Sequence, residues 1–482
     1  MSNDVPLTLK LEPGEYQCYA MLPQKDGSPV RLGGMLSLQS NRSPELGLHG
    51  AIPDEFTVNP TSGEASANYP QMDTLPLLRV DLVRGNDVLL VDCTIERWMP
   101  GRARVTAAAA LVGISIPDDE QPPQFTNFTI QVSGSAAVIA PPPLATVKIP
   151  MERKPDEPME WGAVERLPRK ITDDDDGADV AASWYVSYSG GDGYAYRIAF
   201  SPVIDINLAE PIDLATLREQ WLEPLQRITG LSTGRTEALT YLGVELAGSD
   251  GPELQVYGTN ITQQPYAPRQ SDILKISHAF YTYNDGDASL LQLCRGWQKV
   301  SAERHPLVET LGVFLSLPPQ HPRATFLLLI QALEGLHGHQ NPGYDEALAK
   351  YKARRTEARE AVANCEGLEA DVRKFIREKL PNRPAGNLED SLKAVVSDLP
   401  VDLSDKLSNL DLVTTMITAD ADAKDWASAL RLVRNGLSHG SSSWPSTLLR
   451  PAADLLEVIA RAHLMRSIGV NEAALEHYLS KA

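Results

Sequence analysis

The stretch Leu430-Arg431-Leu432-Val433-Arg434-Asn435-Gly436-Leu437-Ser438-His439-Gly440 sets a polar trio, Arg434, Asn435 and His439, into a segment otherwise written for burial. Trp426, Leu430, Val433 and Leu437 recur at helical spacing, which predicts a face packed on other helices. Asn435 and His439, four residues apart, share a neighbouring face, and Arg434 is long enough to reach the same place. Gly440 followed by three serines supplies a stop, so His439 is expected in the last turn, near the negative end of the helix dipole.

Outward from this stretch the context is helical. An apolar helix is expected from Pro322 to Gly338, containing Gln331-Ala332-Leu333-Glu334-Gly335-Leu336, and charged helices fill the interval of about a hundred residues before the Arg-Asn-Gly-Leu-Ser-His-Gly run. An arginine, a polar residue, three further residues and a histidine at the end of a late helix resemble the motif of HEPN domains, all-helical modules of many RNA-cleaving toxins and defence proteins. With the β-rich N-terminal half described below, the whole resembles the ApeA group, in which an ApeA-type N-terminal domain precedes a C-terminal HEPN domain.

A chain of 482 residues predicts two or three domains, at roughly 100–200 residues each. Its formal net charge of -19 argues against a protein that coats nucleic acid, because such binding needs lysine and arginine to displace counterions. A site for RNA must therefore be local or gated. Cys18, Cys93, Cys294 and Cys365 lie far apart and form no CxxC pair, which fits reduced thiols in a cytoplasm. No basic leader with an apolar core opens the chain, and no apolar run approaches the ~20 residues of a membrane span, so a soluble cytoplasmic protein without membrane contact is expected.

Residues 1–150 read as β-rich: short β-branched or alternating runs, broken by Gly, Pro, Asn and Asp, predict a sandwich or open barrel. The candidate strands are Tyr16 to Leu22, Gly34 to Leu38, Leu46 to Leu48, Leu77 to Val83, Val88 to Ile95, Arg104 to Ile116 and Phe125 to Val132. Gly33-Gly34-Met35-Leu36-Ser37-Leu38, Leu46-Gly47-Leu48-His49-Gly50, Val88-Leu89-Leu90-Val91-Asp92-Cys93 and Leu111-Val112-Gly113 carry the ApeA-type resemblance here.

Residues 151–180 form a polar linker ending in Asp173-Asp174-Asp175-Asp176, which reads as a solvated loop rather than a cation site because adjacent carboxylates repel. Residues 181–285 read as a mixed α/β continuation of the sensor half. Within it, Trp184 to Tyr188 and Tyr194 to Phe200 flank a glycine turn as a hairpin, and Asp213 caps a helix running to about Gly230 that Pro224 is expected to kink. Gly230 to Thr236 glances at a phosphate loop but has the wrong glycine spacing and an arginine for the lysine, so a loop between helix and strand is expected.

Residues 286–482 read as helices throughout. The long charged run from Tyr344 to Lys379, broken near Cys365-Glu366-Gly367, predicts an exposed face of opposite-charge pairs, and Leu403 to Ile417 a single helix. The fold class is thus α+β multidomain: a β-rich, sandwich- or barrel-like N-terminal half followed by an all-α helical bundle of the HEPN kind.

RNA carries its own nucleophile, the 2′-hydroxyl, so transesterifying cleavage needs only a base, an acid and a cation over the phosphate, with no metal and no cofactor. Arg434 suits the phosphate because its guanidinium is always charged and fork-shaped. His439 is the residue type suited to proton transfer, and Asn435 suits orienting that ring or contacting the phosphate. A single chain offers one such histidine for two roles. The resemblance implies the answer, a homodimer through the HEPN domain with one composite site, and it further implies a metal-independent endoribonuclease leaving a 2′,3′-cyclic phosphate. It also implies abortive anti-phage defence released by a phage-derived trigger, acting on RNA (a transfer RNA being one candidate) and not on DNA.

The structural alternative is that Arg434 and His439 cap carbonyls and pair with acids. Its functional counterpart is a non-catalytic HEPN dimer that binds RNA, nucleotide or protein as a scaffold. Glu334 is a candidate partner orienting Arg434, and His337 and His339 form a candidate but isolated metal pair.

Overall fold

A computed structural model of the chain describes residues 5–23, 29–49, 57–58, 61–66, 71–99, 102–113, 122–139, 142–148, 162–166, 171–189, 197–248, 251–268, 289–315, 320–340, 343–365, 367–380 and 388–481. It divides into two compact units, Met1–Cys294 and Arg295–Ala482.

In the first unit the alternating runs become β1 (Gly14–Pro23), β2 (Pro29–Leu38), β3 (Glu45–His49), β6 (Gln71–Leu82), β7 (Asp87–Met99) and β8 (Arg102–Gly113), while Thr57–Val58 (β4) and Ala65–Ser66 (β5) make a separate small pair. The expected extension of β8 to Ile116 lies outside the described residues. Neighbours in the order β1-β2-β3-β8-β7-β6 are antiparallel, and β6 returns to β1, so six strands close into a barrel. Closure removes the exposed edges that an open sheet would leave.

The barrel core is filled by alternate residues, among them Leu36 and Leu38, Leu46 and Leu48, Leu78 and Val80. Asp92 breaks this alternation on β7. It adopts a left-handed backbone with φ 51°, so that Val88 and Leu90 face the core before it and Cys93 and Ile95 after it. Burial pushes the Cys18 thiol up to about 11 and the Cys93 thiol up to about 12, which makes both poor nucleophiles near neutrality. All four cysteines are free.

Beyond the barrel the sheet continues. The end of β8 from Ala109 to Val112 pairs with β16 (Leu254–Gly258), followed by β15 (Leu239–Leu246), β9 (Phe125–Val132), β14 (Arg197–Ile212), β13 (Ala178–Ser189) and β12 (Ile171–Asp175). Strands before and after residues 151–180 therefore share one sheet. The polar segment is not simply a linker: Gly162–Glu165 (β11) pairs with Leu144–Lys148 (β10), and Asp173, Asp174 and Asp175 sit on the edge strand β12 rather than in a loop. An edge tolerates charge because one side of it faces solvent, and Asp175 Oδ1 accepts from the Gly177 and Ala178 amides at 2.8 Å to make the turn. The turn expected at Ser189 to Gly193 lies outside the described residues after Ser189, but its flanks β13 and β14 pair antiparallel as a hairpin requires.

Asp213 caps the helix as expected, its carboxylate accepting from the Thr216 amide at 2.7 Å. The helix runs as Leu214–Leu217, a π-turn at Arg218–Leu222 and Glu223–Thr233. The wide turn ends at Leu222, two residues before Pro224, whose ring has no N–H for the ladder. Gly230 to Thr233 is the last turn of this helix, closed by Gly234 at φ 72°. The glycine pair therefore terminates a helix instead of opening one, the reverse of a phosphate loop.

The second unit is helical. Pro322–Gln340 is its central helix, with Phe326, Leu329, Ile330, Leu333 and Leu336 buried, and it packs chiefly on Ser446–Ser467. Tyr344–Ala363 and Ala370–Lys379 form the charged hairpin. Leu403 to Ile417 is two helices, Ser404–Ser408 and Asp411–Ala419, because the chain turns at Asn409. Asn471 caps the last helix by accepting from the Ala474 amide at 2.8 Å. Among the described residues no helix is long and apolar enough to cross a membrane.

Candidate functional site

The site stretch is the helix Trp426–His439, hereafter the motif helix. It starts at a capping box: Asp425 accepts from the Ser428 amide at 2.9 Å, and Ser428 Oγ accepts from the Asp425 amide at 2.9 Å. Lys393 adds an ion pair to Asp425 at 2.5 Å. Burial works to raise the Asp425 carboxyl, but the bonds from Lys393 and Ser428 outweigh it and hold it below the usual range.

One face of the helix is committed to packing. Trp426, Leu430, Val433 and Leu437 are all buried, as their spacing predicts. Arg431 holds a second side, its Nε 2.6 Å from Glu389 on Leu388–Ser397. The remaining side carries the polar trio.

Arg434 donates from Nη1 to Asn435 Oδ1 at 3.2 Å, and its Nη2 lies 3.8 Å from Glu334 Oε2 on the central helix. The Arg434 and Glu334 side chains are 34% and 36% exposed, so the pair is worth no more than about 1 kcal/mol. A pair this weak and this exposed leaves the guanidinium free to exchange partners. His439 is exposed in the last turn, and no hydrogen bond or ion pair engages its imidazole among the described residues. Helical geometry sets Asn435 and His439 about 40° apart, but Arg434 and His439 about 140° apart and about 7.5 Å along the axis. The structure thus joins Arg434, Asn435 and Glu334, and carries His439 past them to the helix end.

That end is built tightly. Gly440 adopts φ 66°, and the Ser441 and Ser442 amides return to the Gly436 carbonyl at 3.0 and 3.2 Å. A Cβ on Gly436 would overlap Ser442 Oγ and stand 3.1 Å from Ser442 Cβ, so the turn folds over a residue without a side chain. Arg323, at the start of the central helix, donates from Nη2 to the Leu437 carbonyl at 2.6 Å. This cation, missed in the sequence, satisfies one of the carbonyls a helix end leaves free and stands beside the segment that carries His439. Nothing local could have found it, since its partner is 114 residues away.

Residues 327–474 match the family model of the Apea-like HEPN domain. Over those residues the helical unit is similar to an Apea-like HEPN domain. No curated protein and no solved structure matches the chain. The matched segment includes Glu334 and the whole motif helix, while Arg323 lies just before it. The β-rich unit ahead of the HEPN domain agrees with the ApeA arrangement.

Among the described residues of the helical unit, two histidines outside the trio are buried, His305 and His463. His339 sits edge-on to His305, with ring centroids 5.0 Å apart. His305 Nδ1 accepts from the Leu307 amide at 3.3 Å and caps Pro306–Phe314, while His463 Nε2 lies 2.9 Å from the Val395 carbonyl. Burial, with the neighbouring His339 and His463, lowers His305 to about 4, and burial likewise lowers His463 to about 4. Both are packing histidines, neutral near pH 7.

Proposed function

We propose that the protein is a latent, metal-independent endoribonuclease of abortive anti-phage defence, acting in the cytoplasm. Arg434 would hold the scissile phosphate and stabilise the charge that accumulates on it. A neutral His439 would take the proton of the 2′-hydroxyl as that oxygen attacks phosphorus. A protonated His439 from a second copy would give its proton to the departing 5′-oxygen, leaving a 2′,3′-cyclic phosphate and a 5′-hydroxyl. Asn435 would set the position of the guanidinium.

The observation that carries this reading is the pairing of a tethered Arg434 with an unengaged, exposed His439 on one helix of an HEPN domain. The angle of about 140° between the two positions favours a composite site, in which two motif helices of a homodimer face each other. The sensing role falls to the first unit. What supports it there is a cavity of about 210 Å3 between the π-turn and the sheet, bordered by the strained Asp92 and by Arg218, Glu223, Gln226 and Asn260. π-turns and left-handed non-glycine residues concentrate at functional positions.

The second reading, a non-catalytic HEPN scaffold, draws on the Arg434–Glu334 ion pair, which occupies the cation a nuclease needs. Cleavage of total RNA in EDTA separates the two. Wild-type protein is expected to cut and to leave cyclic-phosphate ends, and Arg434→Ala and His439→Ala variants of equal fold and dimer content are expected not to. Equal cutting by all three would reject this site. If none cuts, toxicity during phage challenge that needs His439 keeps the latent nuclease, and its absence leaves the scaffold.

A further inference from the structure

The chain is acidic, with a formal net charge of -19, yet the two helices of one hairpin carry nine basic residues against six acids, and the basic ones are concentrated in two stretches. In the hairpin of Tyr344–Ala363 and Ala370–Lys379, the stretch Lys350 to Arg359 holds five basic residues against one acid, and Arg373 to Lys379 holds four against one. The fold lays these stretches side by side. Arg355 donates to the Leu380 carbonyl at 3.2 Å, Arg359 to the Arg377 carbonyl at 2.8 Å, and Arg373 to the Ala363 carbonyl at 3.4 Å. Arginines of each helix thereby cap the end of the other, which fixes the hairpin as a rigid antiparallel unit.

The opposite-charge pairing expected of this run is largely missing. Lys350 pairs with Glu346 at 2.8 Å, but among the described residues no ion pair engages Lys352, Arg354, Lys374 or Arg377, all of them exposed. Leaving several like charges unpaired on a rigid scaffold costs self-repulsion that a counter-charged ligand would relieve.

An apolar component accompanies the charge. The helix Ala370–Lys379 buries none of its residues, and Phe375 is 60% and Val372 42% exposed. The Lys379 ammonium lies 5.8 Å from the centre of the Phe375 ring. A flat ring beside unpaired cations is the combination that single-stranded nucleic acid uses, with phosphates on the cations and a base stacked on the ring. An acidic protein partner would use the cations but gain little from stacking.

We infer that this hairpin is the arm by which the protein holds its RNA, a single-stranded or looped segment lying across Lys352, Arg354, Arg377 and Phe375. The inference rests on the reading of the HEPN domain as acting on RNA. It supplies the local positive surface that an acidic chain needs, since the net charge would otherwise repel the substrate.

The test is fluorescence anisotropy of a labelled 20-nucleotide RNA and of a transfer RNA pool with full-length protein, across a salt series, in a His439→Ala background that prevents cutting. The triple variant Lys352→Glu, Arg354→Glu, Arg377→Glu changes exposed side chains without ion-pair partners and is expected to keep its circular dichroism. Its affinity should fall at least about tenfold, and the slope of log K against log salt should shrink by about two for three lost single-strand contacts. Phe375→Ala should weaken binding about fivefold or more while leaving that slope unchanged. Unchanged affinity and slope in the triple variant would overturn the arm, as would equal binding of poly-glutamate with no effect of Phe375→Ala, which would assign the surface to an acidic protein. The two readings fail separately: RNA held through the hairpin but never cut by the His439-intact protein removes the nuclease and keeps the arm. RNA cut at the wild-type rate by the triple variant does the reverse.

Discussion

Arg323 and Leu437, 114 residues apart in sequence, are joined by a 2.6 Å hydrogen bond from the guanidinium Nη2 to the last-turn carbonyl of the motif helix. The bond ties the start of the central helix to the end that presents His439. Cations near a helix C-terminus are favourable, and a charge-assisted bond contributes about 1.5–3 kcal/mol when protected from water and less at an exposed guanidinium such as this. Arg323→Ala is therefore expected to cost about 1 kcal/mol in denaturant unfolding. It should also raise amide exchange at residues 438–442, with Arg323→Lys restoring part of the protection. Wild-type exchange there in Arg323→Ala would show that the bond does not hold the helix end.

Glu334 lies 3.8 Å from Arg434, and on the proposed function it would compete with phosphate for that guanidinium while aiming it. Glu334→Gln removes the charge and keeps the shape. RNA affinity should rise, because a freed guanidinium is open to phosphate, while kcat should fall by about tenfold or more as the orientation is lost. Stability should change by less than about 1 kcal/mol, as for other half-exposed ion pairs. A fall in affinity with kcat unchanged would mean that Glu334 does not position Arg434.

Gly436 and Gly440 serve one turn for different reasons. Gly436→Ala puts a methyl group against Ser442 and should unseat the return of Ser441 and Ser442 to the Gly436 carbonyl. Gly440→Ala keeps the space but strains a left-handed backbone at φ 66°, at a cost of about 1 kcal/mol. Thermal unfolding should show both losses. Combining Gly436→Ala with Ser442→Gly should recover most of the first and none of the second.

The buried His305 and His463 are expected to set the acid limit of the helical unit. Both have folded values of about 4, below the unfolded value of about 6.5, so between these limits the unfolded chain binds the extra protons. Stability is therefore full above about pH 6.5 and falls as the pH drops toward 4. The slope is at most about 2.7 kcal/mol per pH unit for two protons. Denaturant midpoints at pH 7.5 and 5.5 for wild type and His463→Gln measure this, and the variant should lose less on acidification. An equal loss in both would assign the acid sensitivity to other groups.

The packing face of the motif helix was legible because burial at Trp426, Leu430, Val433 and Leu437 repeats with the helical period. Its end was legible because glycine is the residue that a left-handed cap favours. The cap at Asp213 was legible for the same kind of reason, since it is a local bond. Where local pattern failed, a partner distant in sequence had intervened. Asp173 to Asp175 read as a solvated loop until Val180 to Ala178 paired with them at the sheet edge. The hairpin run read as paired charges until the helices laid Arg355 and Arg359 across neighbouring carbonyls and left Lys352 and Arg354 without an ion pair among the described residues.

The sequence by itself determined what depends on neighbours along the chain: the β-rich half and the helical half, the span and stop of the motif helix, and the trio Arg434, Asn435 and His439 upon it. Tertiary structure alone decided what depends on contacts across it. It closed six strands into a barrel, set Glu334 beside Arg434 and brought Arg323 to Leu437. Helical period and backbone capping act within a few residues and are written in local order. Strand closure and ion pairing depend on where distant segments meet, which periodicity does not encode.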